Sequence, residues 1–292
     1  MSDSSVQILG QLQQNLDAFT PQERKAAAYV IDNAHLVGVS SIRDLSKNAD
    51  VKPNTLVRLA RAIGLSGFDE LREPFKESIR NGQSNFPDRA RWLQEMAKGG
   101  ELSRLYAEMA NSSLKNIETT FAGTDHAQMD RLAKRIVAAK RVFVLGVGVY
   151  NTLAQNFAYV ASMAMENIVA IPKVGSHLID DLARADEGDL VIAMTFKPYR
   201  TEVLEAVTLA KSQGASIVGV TDSAAAPFVP KCEEVIFATS ETPQFFPSTV
   251  ATTALLETIM AFIVADADKK TVDSIEKFHK RRLTMGVYFA ED

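Results

Sequence analysis

The sequence has little of the chemistry that usually announces an enzyme or a secreted protein. It holds one cysteine, Cys232, which permits no internal disulfide and no thiolate metal cluster. Beside Glu233 and Glu234, that cysteine reads as a bystander rather than a nucleophile. Of the four histidines, His35, His126 and His279 lie in polar helical contexts without ligand spacing, so no metal and no cofactor is expected. No apolar run approaches the roughly 20 residues that span a bilayer; the nearest, around Ala261 to Val264, belongs to an interrupted amphipathic segment. The opening MSDSSVQILGQLQQ has an acidic residue and no basic stretch, unlike a secretory signal. A cytoplasmic protein without a membrane partner is the expectation. Charge of one sign is lacking too, since the net value is −4. It is unevenly spread, however: residues 1–92 hold 12 Lys+Arg against 11 Asp+Glu, and the rest hold 20 against 25. A local basic face on a nearly neutral N-terminal region suffices for site-specific DNA binding and predicts weak non-specific binding.

What is present starts with Ala49-Asp50-Val51-Lys52-Pro53-Asn54-Thr55-Leu56-Val57-Arg58, which reads as the turn and second helix of a helix-turn-helix. Pro53 suits a first helical position, where its fixed φ helps and its missing N–H costs nothing. Leu56, Leu59, Ala60 and Ile63 form one apolar face. Asn54, Arg58 and Arg61 fall on the opposite face with Thr55 beside them, a row suited to base edges, and Lys52 is placed to meet phosphate. An ordinary amphipathic helix with a solvated polar face has the same spacing.

Residues 6 to about 80 read as short helices, with Thr20-Pro21-Gln22-Glu23 as a capping signal, Ser40 or Ser41 as a helix start and Gly64 as a stop. The polar stretch 81–88 reads as a linker. From Arg141 the period changes: Val142–Leu145, Ile168–Ile171, Leu190–Ala193, Ile217–Val220 and Val235–Phe237 are short β-favouring apolar runs. Helical patterns over Leu153–Met165, Leu178–Ala183, Thr201–Gln213 and Thr249–Val264 accompany them. The fold class is therefore α/β, an all-helical domain over 1–80 followed, over 89–292, by a doubly wound parallel sheet of five strands with flanking helices.

Ligands of such sheets bind at the carboxyl ends of strands, next to helix N-termini. Two segments sit there, one containing Gly146, Gly148, Tyr150 and Asn151, the other Thr195, Lys197 and Arg200. The two cations point to an anion, although solvated loop cations are also compatible with the pattern. A dinucleotide is not expected: the third glycine is replaced by Asn151, and Pro172-Lys173 follows the second strand instead of an acidic residue.

These residues resemble the RpiR family of bacterial transcriptional regulators, in which a helix-turn-helix precedes a sugar isomerase (SIS) domain that senses phosphosugars. The likeness covers nearly the whole chain. Leu45 to Arg58 is similar to the pattern L-A-x-x-A-G-V-S-x-x-T-V-x-R, and Gly64-x-x-Gly67-Phe68 to the G-F-x-G-F/Y that follows it. Val144–Asn156 resembles the phosphosugar loop, with Ala154-Gln155-Asn156-Phe157 intact, and Ala215–Asp222 resembles the G-A-x-V-I-x-I-T-D strand. Lys52 stands for the capping serine, Asp50 for the turn glycine and Tyr150 for the loop serine. Thr195–Arg200 replaces S-x-S-G-x-T.

The resemblance implies a ligand-responsive regulator that binds operator DNA and a phosphorylated sugar or related anionic metabolite. A sugar-phosphate isomerase is the alternative, since SIS domains serve both. His177, Asp180, Asp181 and Glu202 are the available proton-transfer groups, yet an enzyme has no need of the N-terminal reader, and no catalytic residue is assigned. One recognition helix covers a short half-site, so a homodimer on a pseudo-palindrome is expected, with segments 89–120 and 268–284 as candidate contributors.

Overall fold

The computed structural model describes residues 3–80 and 86–289, which form two compact units. The first begins with α1 (Asp3–Gln14), α2 (Pro21–Asp32), α3 (Ala34–Val37), α4 (Ile42–Asn48), α5 (Pro53–Ala62) and α6 (Phe68–Arg80). Thr20 caps α2 reciprocally with Glu23, the capping box that the sequence signalled. Ser41 caps α4, and Pro53 opens α5 at its first position. Leu12, Ala26, Val30, Leu45, Leu56 and Leu59 close one apolar core between these helices. Within the turn from α4 to α5, Asp50 has φ +51°, the left-handed conformation for which glycine is the usual choice and Asp one of the better substitutes.

Of the stretch expected as a linker, 81–85 lies outside the described residues, and Phe86–Asp88 open α7 (Phe86–Lys98). This helix belongs to the first unit because Trp92 and Met96 bury their side chains against Val39. α8 (Leu102–Ala122) leads on from it, and the first unit ends at Leu114 rather than before residue 89. Residues 241–248 also join the first unit: Arg89 donates to the Thr242 carbonyl, and the Phe86 and Phe246 rings lie 5.0 Å apart.

The second unit carries α9 (His126–Ala138), β1 (Val142–Gly146), α10 (Val149–Ala161), β2 (Ile168–Ile171), α11 (Leu178–Leu182) and β3 (Leu190–Met194). It continues through α12 (Thr201–Ser212), β4 (Ser216–Thr221), β5 (Glu234–Phe237), α13 (Val250–Ala265) and α14 (Lys269–Thr284). All strand pairs are parallel, in the order β2-β1-β3-β4-β5. Alternate strand residues enter opposite cores. Val142 and Val144 pack with residues of α9, α10 and α13, whereas Phe143 and Leu145 pack with residues of α11 and α12. Covering both faces is what made the strands read as continuous apolar runs. α10 starts at Val149, four residues before the expected Leu153, because Gly148 at φ +66° turns the chain into the helix directly after the strand. The strand order reverses between β1 and β3, so the loops that follow these two strands flank one crevice.

Candidate functional site

The candidate reading face of the first unit is on α5. Lys52, at its N-cap, is exposed, as are Asn54, Arg58 and Arg61. Thr55 is not part of that face. It is buried, lying one turn before the buried Leu59 on the side that packs into the core. The guanidinium of Arg61 donates to the Ser66 carbonyl at 3.2 Å, and Arg58 forms an ion pair with Glu23 at 2.9 Å. Glu23 was legible only as a capping residue; its second role depends on how α2 packs against α5. The same helix supplies Lys25, whose ammonium lies 2.5 Å from the Asp50 carboxylate and holds that carboxyl below its ordinary range.

In the second unit, the crevice between β1 and β3 assigns different tasks to the expected residues. Gly146 is buried where α10 turns back over the strand, so a Cβ there would come within 2.3 Å of the Tyr150 carbonyl oxygen. Close packing, not ligand contact, is its visible role. Tyr150 is likewise withdrawn, its ring stacked on Phe196 with centroids 4.7 Å apart. Its buried hydroxyl has no hydrogen-bond partner among the described residues, and burial raises its pKa. Gly148 remains exposed. Asn151 donates to the Pro172 carbonyl at 3.2 Å and so ties the β1 loop to the β2 loop.

Thr195 is buried, and its hydroxyl accepts the backbone N–H of Arg200. Lys197 and Arg200 are exposed. Arg200 forks onto Glu202 at 2.7 and 3.1 Å, a pairing that holds the Glu202 carboxyl below its ordinary value, with His177 adding a smaller contribution. Lys197 makes no ion pair among the described residues, which leaves it the more available cation.

Asp222, at the end of β4, was not selected from the sequence, although the Thr-Asp pair closing that strand was its signal. Its carboxylate accepts from the Tyr199 hydroxyl at 3.0 Å and from the Lys197 backbone N–H at 3.4 Å. Asp222 thereby shapes the loop that carries both cations. Burial, reinforced by this negative neighbour, pushes the Tyr199 hydroxyl up to about 12. Burial also pushes the Cys232 thiol up to about 11, away from nucleophilic use. Asp181 is committed to its own loop, accepting from Lys173 N–H and the Ser176 hydroxyl.

A helical reader with a cationic face, followed by a parallel five-stranded sheet with a cationic switch crevice, defines a two-part regulator. Residues 6–82 match the helix-turn-helix domain of the rpiR family, and residues 135–265 match the SIS domain. The chain belongs to the RpiR-type transcriptional regulators. It is 23% identical over 274 residues to an uncharacterized HTH-type transcriptional regulator of Caldanaerobacter subterraneus, covering 92% of this chain and 93% of that one. To the HTH-type transcriptional regulator HexR of Pseudomonas aeruginosa it is 23% identical over 219 residues, 73% of each chain. The fold is shared with the Vibrio vulnificus NanR protein complexed with ManNAc-6P, at a TM-score of 0.56 and 20% identity, covering 95% and 98% of the two chains.

Proposed function

We propose that this regulator binds operator DNA through Lys52, Asn54, Arg58 and Arg61 and responds to a phosphorylated sugar or a related small anion at the β1–β3 crevice. The observation that carries the effector reading is the exposed Lys197 ammonium, without an ion-pair partner among the described residues, beside Arg200, which is held by Glu202, on a loop shaped by Asp222 at the switch point of the sheet. Gly148 and Asn151 complete the anion-facing set, since α10 starts beside them and the positive end of its dipole favours negative charge. Gly146, Tyr150 and Thr195 act one step back, as packing and loop supports. The NanR complex with a hexosamine phosphate is consistent with this ligand class. A regulatory rather than isomerase role is supported by the engagement of two of the acidic groups. Glu202 is paired with Arg200, and Asp181 is spent on its loop, so neither is poised as a proton-transfer base. The working form is a homodimer in the cytoplasm, where paired readers meet a pseudo-palindrome.

The test is a titration of phosphorylated sugars and dicarboxylates against wild type and the Lys197→Ala/Arg200→Ala double variant. Selected operator DNA is followed in parallel. Weaker effector affinity in the variant, with loss of the ligand's influence on operator binding, is expected. Equal affinity in both proteins would reject the site. Because a ligand that binds two states equally shifts neither, binding that leaves operator affinity unchanged would reject the coupling.

A further inference from the structure

We infer that Glu23, a residue of α2 outside the reading helix, is a positioning residue for sequence readout: it fixes the Arg58 guanidinium and cancels its charge toward phosphate. The inference rests on the DNA-binding reading of α5. Its basis is an asymmetric use of one carboxylate. Oε2 accepts from the Thr20 hydroxyl at 2.5 Å and from the Thr20 backbone N–H at 3.1 Å, so the capping box immobilises the carboxylate plane. Oε1 is thereby presented to Arg58 Nη2 at 2.9 Å. The Glu23 side chain is only 10% exposed, whereas that of Arg58 is 57% exposed. The anion is therefore anchored in the domain while the cation reaches outward. The carboxyl is held below its ordinary range, chiefly by the Thr20 hydroxyl, so it is charged at neutral pH.

A guanidinium offers five N–H donors in a rigid fork. Arg58 makes no other hydrogen bond among the described residues, so its remaining edge is free in an orientation set by Glu23. Such an edge can pair bidentately with the O6 and N7 acceptors of a guanine. An unpaired arginine on the same helix would be attracted to any phosphate. Paired with Glu23, it has little net charge to offer the backbone, but its directional donors survive. Arg58 should therefore contribute to discrimination and little to non-specific affinity. Lys52, exposed and without an ion-pair partner among the described residues, has the opposite character.

The distinguishing variant is Glu23→Gln in the full chain, assayed against the selected operator, its single-base-pair variants and random duplex across a salt series. The base pair read by Arg58 is first located as the one whose substitution is no longer felt by Arg58→Ala. Glu23→Gln is expected to lower discrimination at that pair about 10-fold. It is also expected to tighten random-duplex binding and to steepen the slope of log K against log salt by about 0.9, for one added phosphate contact. A merely structural role for Glu23 would weaken all sequences alike with the wild-type salt slope, and that result overturns the inference, as does retained discrimination at the Arg58 pair. If Glu23→Gln does not fold, Arg58→Lys decides. It keeps the charge and loses the fork, so it must lose discrimination at one base pair with an unchanged slope; retained discrimination there overturns the inference. A wild-type chain that selects no operator would overturn the DNA reading itself, whereas a selected operator with these readouts unmoved overturns only the role of Glu23.

Discussion

At the scale of single residues, the same residue type serves different physical ends a few positions apart. Gly146 and Gly148 share one loop, but a Cβ on Gly146 would collide with the Tyr150 carbonyl group, whereas the space around Gly148 is open and only its φ of +66° disfavours a side chain. Gly146→Ala is therefore expected to destabilise the second unit by about 3 kcal/mol, since backbone rather than a movable side chain must give way. Gly148→Ala should cost about 1 kcal/mol, the strain of a non-glycine residue in that region. Urea melts of the two variants check the order; equal losses would contradict it. Thr55 teaches the same lesson on the reading helix. The spacing places it beside the exposed row of Asn54, Arg58 and Arg61, whereas packing with Leu56 and Leu59 on the core side turns it inward.

Among elements, α2 and β4 each act as a brace for a neighbour that carries proposed ligand-facing residues. α2 holds α5 and its turn through Glu23 and Lys25. The end of β4 holds the loop between β3 and α12 through Asp222. Replacing Asp222 by Ala removes the acceptor for the Tyr199 hydroxyl and the Lys197 N–H without touching either cation. We expect effector affinity to fall about 10-fold while operator affinity without effector stays at the wild-type level; this corresponds to the loss of a charged-group hydrogen bond worth about 1.5 kcal/mol. Calorimetric titration with the effector identified in the ligand screen checks it, and undiminished affinity would show that the loop holds its shape without Asp222. The elements themselves were legible because each has a local cause: a capping box at Thr20, Pro53 at a first helical position, and Gly214 at φ +89° after α12.

On the scale of the whole molecule, the chain leaves the sheet after β5, enters the first unit over 241–248 and returns as α13. The anchor of this excursion is Arg89, buried and donating to the Thr242 carbonyl, its pKa lowered by burial. Arg89→Met should cost about 1–3 kcal/mol by orphaning a buried acceptor. If the excursion carries the effector signal, the variant will bind both operator and effector yet show a reduced effect of one on the other, measured as the change in operator Kd at saturating effector. A wild-type shift would place the coupling elsewhere. Assembly is the second prediction at this scale. Tyr159, Val160, Leu283, Met285 and Phe289 are exposed apolar side chains of the second unit, and we propose them as part of the dimer contact. Light scattering should give a dimer at micromolar concentration, and Tyr159→Glu combined with Val160→Glu should shift it toward monomer. A monomeric wild type would refute the assembly.

The sequence by itself determined the two-part architecture, the five strands and the positions of most helices. Those features follow from periodicity, caps and turn residues, whose interactions span only a few positions along the chain. It also marked the two loops at the switch of the sheet, because a parallel sheet places strand carboxyl ends on one edge. Tertiary structure alone decided which marked residues are withdrawn and which stay exposed. Tyr150 is stacked on Phe196 and Thr195 is spent on a backbone N–H, while Lys197 and Arg200 stay outside. The pairing of Glu23 with Arg58 joins residues 35 positions apart on different helices. No local rule reports such a contact: it depends on the angle and register at which two helices pack, and the balance of many side chains in a shared core sets both.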